Sequence, residues 1–417
     1  RPPTPVSERP ARMLESPADR HARYRALLRD ERLPLALVDL DAVDRNLATL
    51  LAPVRARGKT LRLASKSLRC VALLRYLMDK GGSAVRGIMA YAPAEARFLA
   101  AQGFDDILVA YPSAQRADAE EIAEANRGGA TVSLVVEEEA QLAVASAAAR
   151  AASVTVPVVV DVDVSYRPFG SRAHLGVRRS PLRDPGEIAD FVERVQATPG
   201  LRFAGLLAYE AHIAGVPDPS PLAGLMHGPK RLVKALSRAP ALAQRRAIVA
   251  ELARRGIALP LFNGGGSGSV DWSSADPALT EVAAGSGFLD SHLFDAYQSL
   301  PFEPAIYFAL QVTRHPAPGF VTCQGGGFIA SGATGKDRLP IPALPAGLRL
   351  SDLEGAGEVQ TPLLVPPGVT LALGDPVFFR HAKAGELAEH FQQYLLVRGA
   401  HVEARVDTYR GAGQCFH

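Results

Sequence analysis

The sequence predicts an α/β fold, a (β/α)8 TIM-type barrel followed by a C-terminal β domain. Three observations carry this. From about residue 33, short β-rich runs alternate with Ala/Leu/Arg/Glu stretches of helical period, the texture of repeated βα units. About eight such units occupy roughly 270 residues, close to the ~250 that such a barrel takes. Beyond residue 302 the helical texture fades, and β-rich runs separated by Pro and Gly turns suggest a smaller β domain.

In chain order, residues 1–30 read as an N-terminal arm, rich in Pro, Arg and Ser at its start and without periodicity there. The barrel is expected over 31–300 and the β domain over 301–417. The first β-rich run, 35–40, can serve either sheet, and pairing with the β domain leaves eight barrel strands from Leu61 onward. Those are expected at 61–65, 87–92, 107–111, 132–136, 156–164, 203–209, 259–263 and 281–284. Helices are expected at 42–57, 70–80, 94–102, 114–126, 138–151, 185–196 and 231–255. The run 156–164 is nearly continuous in valine, which suits a strand covered on both faces of a parallel sheet. In the β domain, strands are expected at 305–313, 321–324, 362–365, 376–380, 392–397 and 401–408.

Composition narrows the function. The 46 basic and 43 acidic side chains leave a net charge of +3, too even for a general nucleic-acid binder. With 47% hydrophobic and 21% charged residues, the chain can build a large core. Cys70, Cys323 and Cys415 are too few and scattered for a disulfide framework or zinc cluster, so a reducing compartment, the cytoplasm, is expected. No apolar run reaches the ~18 residues of a membrane span.

Four positions carry chemistry. Lys66 ends the first barrel strand, on the face where barrel enzymes hold their active sites, and a partly desolvated amine there can form a Schiff base with an aldehyde. Phe262-Asn263-Gly264-Gly265-Gly266-Ser267-Gly268-Ser269 follows a late strand, and Ala284-Gly285-Ser286-Gly287 follows the next. Two adjacent loops of this kind turn backbone N–H groups toward an anion and read as a phosphate cradle. With the strand-end amine, they support pyridoxal 5'-phosphate as the ligand. Tyr209 and His212 close another strand, where they can contact a cofactor or move protons, or serve as structural hydrogen-bonding groups. In the β domain, His381, Lys383 and Glu386 lie close together. An ammonium is no metal ligand, so either Glu386 or Glu389 completes an altered metal site, or the charge of Lys383 replaces the metal, or the segment is a solvated turn.

The order Val38-Asp39-Leu40-Asp41, Lys66, Tyr209 with His212, the 264–269 loop, Thr280-Glu281 before Gly285-Ser286, and Gly374-Asp375 before His381 resembles the D-threonine aldolase and D-serine dehydratase family of alanine-racemase-type (fold type III) pyridoxal phosphate enzymes. The resemblance runs from about residue 35 to 410. It implies that Lys66 holds the cofactor, that Gly265, Gly266, Ser267, Gly285 and Ser286 grip its phosphate, that Tyr209 lines its ring and that His212 lies near the substrate. His381 matches the family's metal-ligand histidine. A homodimer is also implied, with the β domain of one subunit near the barrel mouth of the other.

Two departures stand out. Lys383 replaces the Asp or Cys of metal-dependent members, which leaves manganese or zinc an open question. His174, in Ala173-His174-Leu175-Gly176-Val177, replaces an arginine of the relatives and is expected to face the pyridine ring, with Arg172 or Arg178 available to compensate. The expected function is a lyase acting on a small-molecule β-hydroxy D-amino acid, aldolase ahead of dehydratase. An amino-acid racemase or epimerase, and a non-catalytic pyridoxal phosphate-binding protein, are the alternatives.

Overall fold

A computed structural model describes residues 15–168, 174–214, 227–295, 297 and 301–416, with backbone alone from 227 to 234. The first strand is β1 (Leu35–Asp39). Eight parallel strands then close a barrel: β2 (Thr60–Ala64), β3 (Val85–Ala90), β4 (Ile107–Val109), β5 (Val132–Val136), β6 (Val156–Asp161), β7 (Leu201–Ala208), β8 (Phe262–Gly264) and β9 (Glu281–Ala284). Closure is made by β9 against β2, with Glu281 opposite Thr60 and Ala284 opposite Leu63.

The strand sequences explain the double burial. Leu134, Val136, Val158 and Val160 point outward into the main core beneath the helices, while Leu108, Val135, Val159 and Leu207 form a separate interior layer. Alternate residues face different apolar surroundings, so the strands read as continuous apolar runs. Low in the barrel, buried Arg62 pairs with Glu281 at 2.5 Å and Asp106 at 2.9 Å, and Asn263 Nδ2 donates to Glu281 at 2.7 Å, tying β2, β8 and β9 together.

The C-terminal sheet contains β10 (Ile306–Arg314), β11 (Phe320–Gln324), β12 (Ile341–Leu344), β13 (Arg349–Leu350), β14 (Gln360–Leu364), β15 (Pro376–Arg380), β16 (Gln393–Arg398) and β17 (His401–Asp407). Its order is β13-β14-β11-β10-β1-β16-β17, with β15 pairing β10 and β12. Strand β1 lies in this sheet, antiparallel to β10 and parallel to β16. Leu35 and Leu37 pack with Tyr307 and Phe378 on one face, while Ala36 and Val38 join the main core on the other.

Part of the expected featureless arm is a helix, Pro17–Leu27, capped by Ser16 Oγ accepting the Asp19 N–H at 3.1 Å. Tyr24 is fully buried and donates its hydroxyl to Asp39 at 2.8 Å. The helix buries so few apolar residues that no period shows in the sequence. Residues 1–14 of that arm lie outside the described residues. Strands β12 and β13 were not expected, because Pro340, Pro342 and Pro345 read as turns; β12 pairs with β15 alone, an arrangement that tolerates proline.

Two parts of the C-terminal domain reach the barrel mouth. The short helix Ala384–Leu387 packs on the turn Ser65–Ser67 that follows β2, and the turn Lys336–Arg338 contributes to the cavity there. Among the described residues no helix is long and apolar enough to cross a membrane.

Candidate active site

A cavity of about 480 Å³ opens at the C-terminal ends of the barrel strands. Lys66, on the one-turn helix after β2, lines it and donates from Nζ to Tyr111 Oη at 2.8 Å. Burial alone would push the Tyr111 phenol up, but the Lys66 charge and hydrogen bond, with the Arg179 charge, outweigh it and hold the phenol below its usual value.

Two glycine loops form the adjacent wall. Gly265 sits at φ +84, and its N–H donates to Glu210 Oε2 at 3.0 Å. Ser267 Oγ accepts the Gly285 N–H at 3.1 Å and the Gly287 N–H at 2.9 Å, so two backbone donors converge on one oxygen. A Cβ on Gly285 would come within 2.6 Å of Ser67 Oγ, and one on Gly268 within 2.3 Å of the Ala214 carbonyl. Glycine is required because the loops and the Lys66 turn interlock. Ser286 Oγ adds a contact of 3.3 Å to Ser67 Oγ.

The loops are braced from below by Glu210. It is fully buried and accepts from Arg245, Ser273 and, at 3.2 Å, Ser269 as well as from Gly265. Burial would raise its pKa, yet Arg245 and these donors hold the carboxyl below its ordinary value. Arg245 is itself completely buried and also pairs with Asp276 at 3.1 Å.

Tyr209 lines the cavity, with Gly266 packed on its ring, and burial pushes its phenol up to about 12. His212 lies beside it, in a smaller adjoining space shared with Asp163 and Arg179. Burial lowers His212 to about 4, so its ring is neutral near pH 7. Lys66, Tyr209, Gly265, Gly266, Ser267, Gly285 and Ser286 thus share one cavity, with His212 next door.

His174 is not brought to this cavity; its Nε2 lies 3.1 Å from the Val177 carbonyl. Arg172 lies outside the described residues, and Arg178 is exposed. The arginine of this segment that does enter is Arg179. It donates to the Ala110 carbonyl at 2.8 Å, pairs with Asp161 at 3.2 Å, and lies 5.3 Å and 5.8 Å from the Tyr111 and Tyr209 ring centres. Sequence reasoning also passed over Tyr111, Asp337 and Arg338, which join the walls. Strand-end position was the available signal for Tyr111; no local pattern marks the others.

In the C-terminal domain, His381 is buried, with Nδ1 2.6 Å from the Lys383 carbonyl and Nε2 without a hydrogen-bond partner among the described residues. Lys383 Nζ donates to Ser331 Oγ at 2.8 Å and lies 3.2 Å from Glu386. Glu386 also accepts the Ser331 N–H at 2.8 Å, and Glu389 pairs with Arg69 at 2.5 Å. One imidazole, an ammonium and two carboxylates engaged elsewhere do not fit a divalent metal. Among the described residues no three His, Cys, Asp or Glu side chains cluster as a metal site. Of the three alternatives for this segment, the structure shows Glu386 engaged with Ser331 and Lys383 and Glu389 with Arg69.

A closed parallel barrel with a strand-end lysine, paired glycine loops and an appended β sheet defines an alanine-racemase-type protein. The chain belongs to the family described as alanine racemase, N-terminal domain, which it matches over residues 38–289. It is 24% identical to a 3-hydroxy-D-aspartate aldolase of Paracoccus denitrificans over 70% of this chain and 71% of that protein. Among solved structures it is similar to D-threonine aldolase from Filomicrobium marinum, with TM-score 0.79 and 22% identity over 92% of this chain and 96% of that one. It is also similar to D-threo-3-hydroxyaspartate dehydratase from Delftia sp. HT23, with TM-score 0.72 and 20% identity over 92% and 98%.

Proposed function

We propose that the chain is a pyridoxal 5'-phosphate-dependent lyase that cleaves β-hydroxy D-amino acids by a retro-aldol reaction. The observation that carries this reading is the presence, in one cavity, of the Lys66 amine and the two glycine loops, which the Gly285 and Gly287 N–H groups join by converging on the Ser267 hydroxyl. Those donors already receive a hydroxyl oxygen, as they would a phosphate oxygen. The residues therefore fit the cofactor. Lys66 would hold its aldehyde carbon, the backbone of Gly265, Gly266, Ser267, Gly285 and Ser286 its phosphate, and Tyr209 would flank its ring. When bound, it supplies an electron sink for negative charge at the substrate Cα.

The chain's own residues supply the rest. Tyr111, its phenol held below the ordinary value by Lys66 and Arg179, can in its phenolate form take a proton from Lys66 Nζ across 2.8 Å, which leaves a neutral nucleophilic amine and a phenol able to return the proton. Arg179, fixed by Asp161 and the Ala110 carbonyl, holds a positive charge against the cavity wall. His381 is buried, with its Nδ1 between the carbonyl and the N–H of Lys383, and it does not line the cavity. It sits at the root of the helix that packs on the Lys66 turn. His212, neutral in the adjoining space, is available to accept the β-hydroxyl proton: as that proton leaves, a carbonyl forms at Cβ, the Cα–Cβ bond breaks, the electron pair left at Cα takes up a proton, and glycine and an aldehyde result. Dehydration instead requires a donor to the departing hydroxyl.

The names of the relatives support the same substrate class, an aldolase and a dehydratase of β-hydroxy D-amino acids. Cys70 and Cys323, both buried and outside any disulfide, suit a reducing cytoplasm, and we propose a homodimer. Incubation with D-threonine, D-serine and both alanine enantiomers tests the reading. Aldehyde plus glycine is expected. Keto acid plus ammonia would make it a dehydratase, an inverted amino acid a racemase, and absence of turnover a cofactor-binding protein.

A further inference from the structure

Three cations line the cavity among the described residues: Lys66, Arg179 and Arg338. Lys66 is committed to the cofactor by the reading above, and Arg179 is committed to Asp161 and the Ala110 carbonyl. Arg338 is different. It comes from the C-terminal domain, on the turn Lys336–Arg338, and its ion-pair partner among the described residues is its chain neighbour Asp337 at 3.8 Å. The Asp337 side chain is 60% exposed, against 22% for Arg338. The Arg338 Nε atom is buried without a hydrogen-bond partner among the described residues.

The turn that carries this guanidinium is built. The Arg338 N–H donates to the Gly335 carbonyl at 3.0 Å, and the Arg338 carbonyl accepts the Ala330 N–H at 2.9 Å. The guanidinium packs close to Gly332, where a Cβ would approach Nε to 3.1 Å and Nη2 to 3.4 Å. Next along the loop, Ser331 is gripped by Glu386 through its N–H and by Lys383 through its hydroxyl. The ammonium that replaces a metal ligand thus anchors the start of the loop that delivers Arg338. A buried guanidinium N–H without an acceptor is costly, and the planar fork matches a carboxylate in two bonds.

We propose that Arg338 is the carboxylate-binding residue of the cavity, taking a carboxylate of the amino-acid substrate. This rests on the reading of the site as one for amino acids. The group bound is either the α-carboxylate, common to all such substrates, or the side-chain carboxylate of an acidic one, and the arms of the test separate them.

The holoenzyme and its Arg338→Gln and Arg338→Lys variants are titrated calorimetrically with D-alanine and D-aspartate, and KM and kcat are measured for D-threonine and 3-hydroxy-D-aspartate. For Arg338→Gln, binding weakens by about ten- to a hundredfold, carried in KM more than kcat, because a charged hydrogen-bond pair is lost. Arg338→Lys falls between, since it keeps the charge and loses the fork. Weakening with both ligands assigns the α-carboxylate; weakening with D-aspartate alone assigns the side chain. Unchanged binding of both ligands by Arg338→Gln, or loss of the cofactor's visible absorption in that variant, overturns the proposal. If the wild type turns over neither hydroxy amino acid, the calorimetric arms still decide, so the two readings fail separately.

Discussion

The backbone of Gly385 lies against the carbonyl of Lys66, so close that a Cβ at 385 would fall 1.8 Å from that oxygen. The C-terminal domain therefore sets the height of the turn on which the cavity amine stands, and only a residue without a side chain permits the contact. Gly385→Ala must push the two segments apart, at a cost of about 1–3 kcal/mol in overpacking. We expect a lower melting temperature and at least a tenfold fall in kcat, the order expected when a catalytic group is slightly misplaced. A Gly385→Ala protein with wild-type kcat would show that the turn does not need this support.

Tyr111 is the next residue to test, because it is the hydrogen-bond partner of the Lys66 ammonium. Phenylalanine keeps the ring over the cation and removes the oxygen. If the phenol exchanges protons with Nζ, Tyr111→Phe retains the cofactor's visible absorption and loses on the order of a hundredfold in kcat. Equal losses in cofactor affinity and turnover would instead point to a role in holding the cofactor.

How much of this was legible in the sequence follows from range. The valines of β6 and the glycines after β8 and β9 declare themselves locally, and so did the barrel, the later sheet and Lys66 at a strand end. The partner of β1 was not decidable, because Leu-Ala-Leu-Val-Asp is buried throughout and reads alike in either sheet. Arg179 was invisible for another reason. It meets Tyr111 and Asp161 only because the barrel closes, and a residue two positions beyond a Gly-Val pair carries no mark of that. His174 drew attention by replacing an arginine, yet an arginine enters from five residues further along.

The donor set around His381 predicts the response to chelation. Lys383 is held by Ser331 and Glu386, and Glu389 is engaged by Arg69, so among the described residues of this segment no carboxylate is left to join the imidazole. Prolonged dialysis of the holoenzyme against a chelator should leave kcat unchanged. Activity lost on dialysis and restored by manganese or zinc would show a metal bound through residues other than these.

Glu210 is the brace of the glycine loop, and its removal has two separable effects. Glu210→Gln leaves the fully buried Arg245 with Asp276 as its remaining carboxylate and weakens the anchor of the Gly265 N–H. Breaking a buried pair from one side costs about 3–5 kcal/mol. We expect a clear loss in chemical denaturation and, in the fraction still folded, weaker retention of pyridoxal phosphate on gel filtration. Full stability with weak cofactor retention would confine Glu210 to the loop; full retention would separate it from the cradle.

Stability should also respond to pH through Glu95, which is fully buried behind the Lys66 turn and accepts the Tyr409 hydroxyl at 2.8 Å and the Tyr91 N–H at 2.7 Å. Burial pushes its carboxyl up to about 7 from an ordinary 4.5, because the charged form loses its water and the hydrogen bonds only partly replace it. The folded state therefore binds the proton more tightly than the unfolded chain. That contribution is fully present below the unfolded value of 4.5 and is lost as pH rises through about 7, by roughly 3 kcal/mol at most. Asp290, raised to about 7 by burial, has the same sign, while His212 and His381, lowered by burial to about 4, contribute with the opposite sign up to their ordinary 6.5, so the comparison with the variant isolates Glu95. Glu95→Gln, which stays neutral, should melt at a temperature that falls less between pH 5 and pH 7.5 than the wild type's. An unchanged slope would mean that Glu95 is already ionised in the folded protein at pH 5.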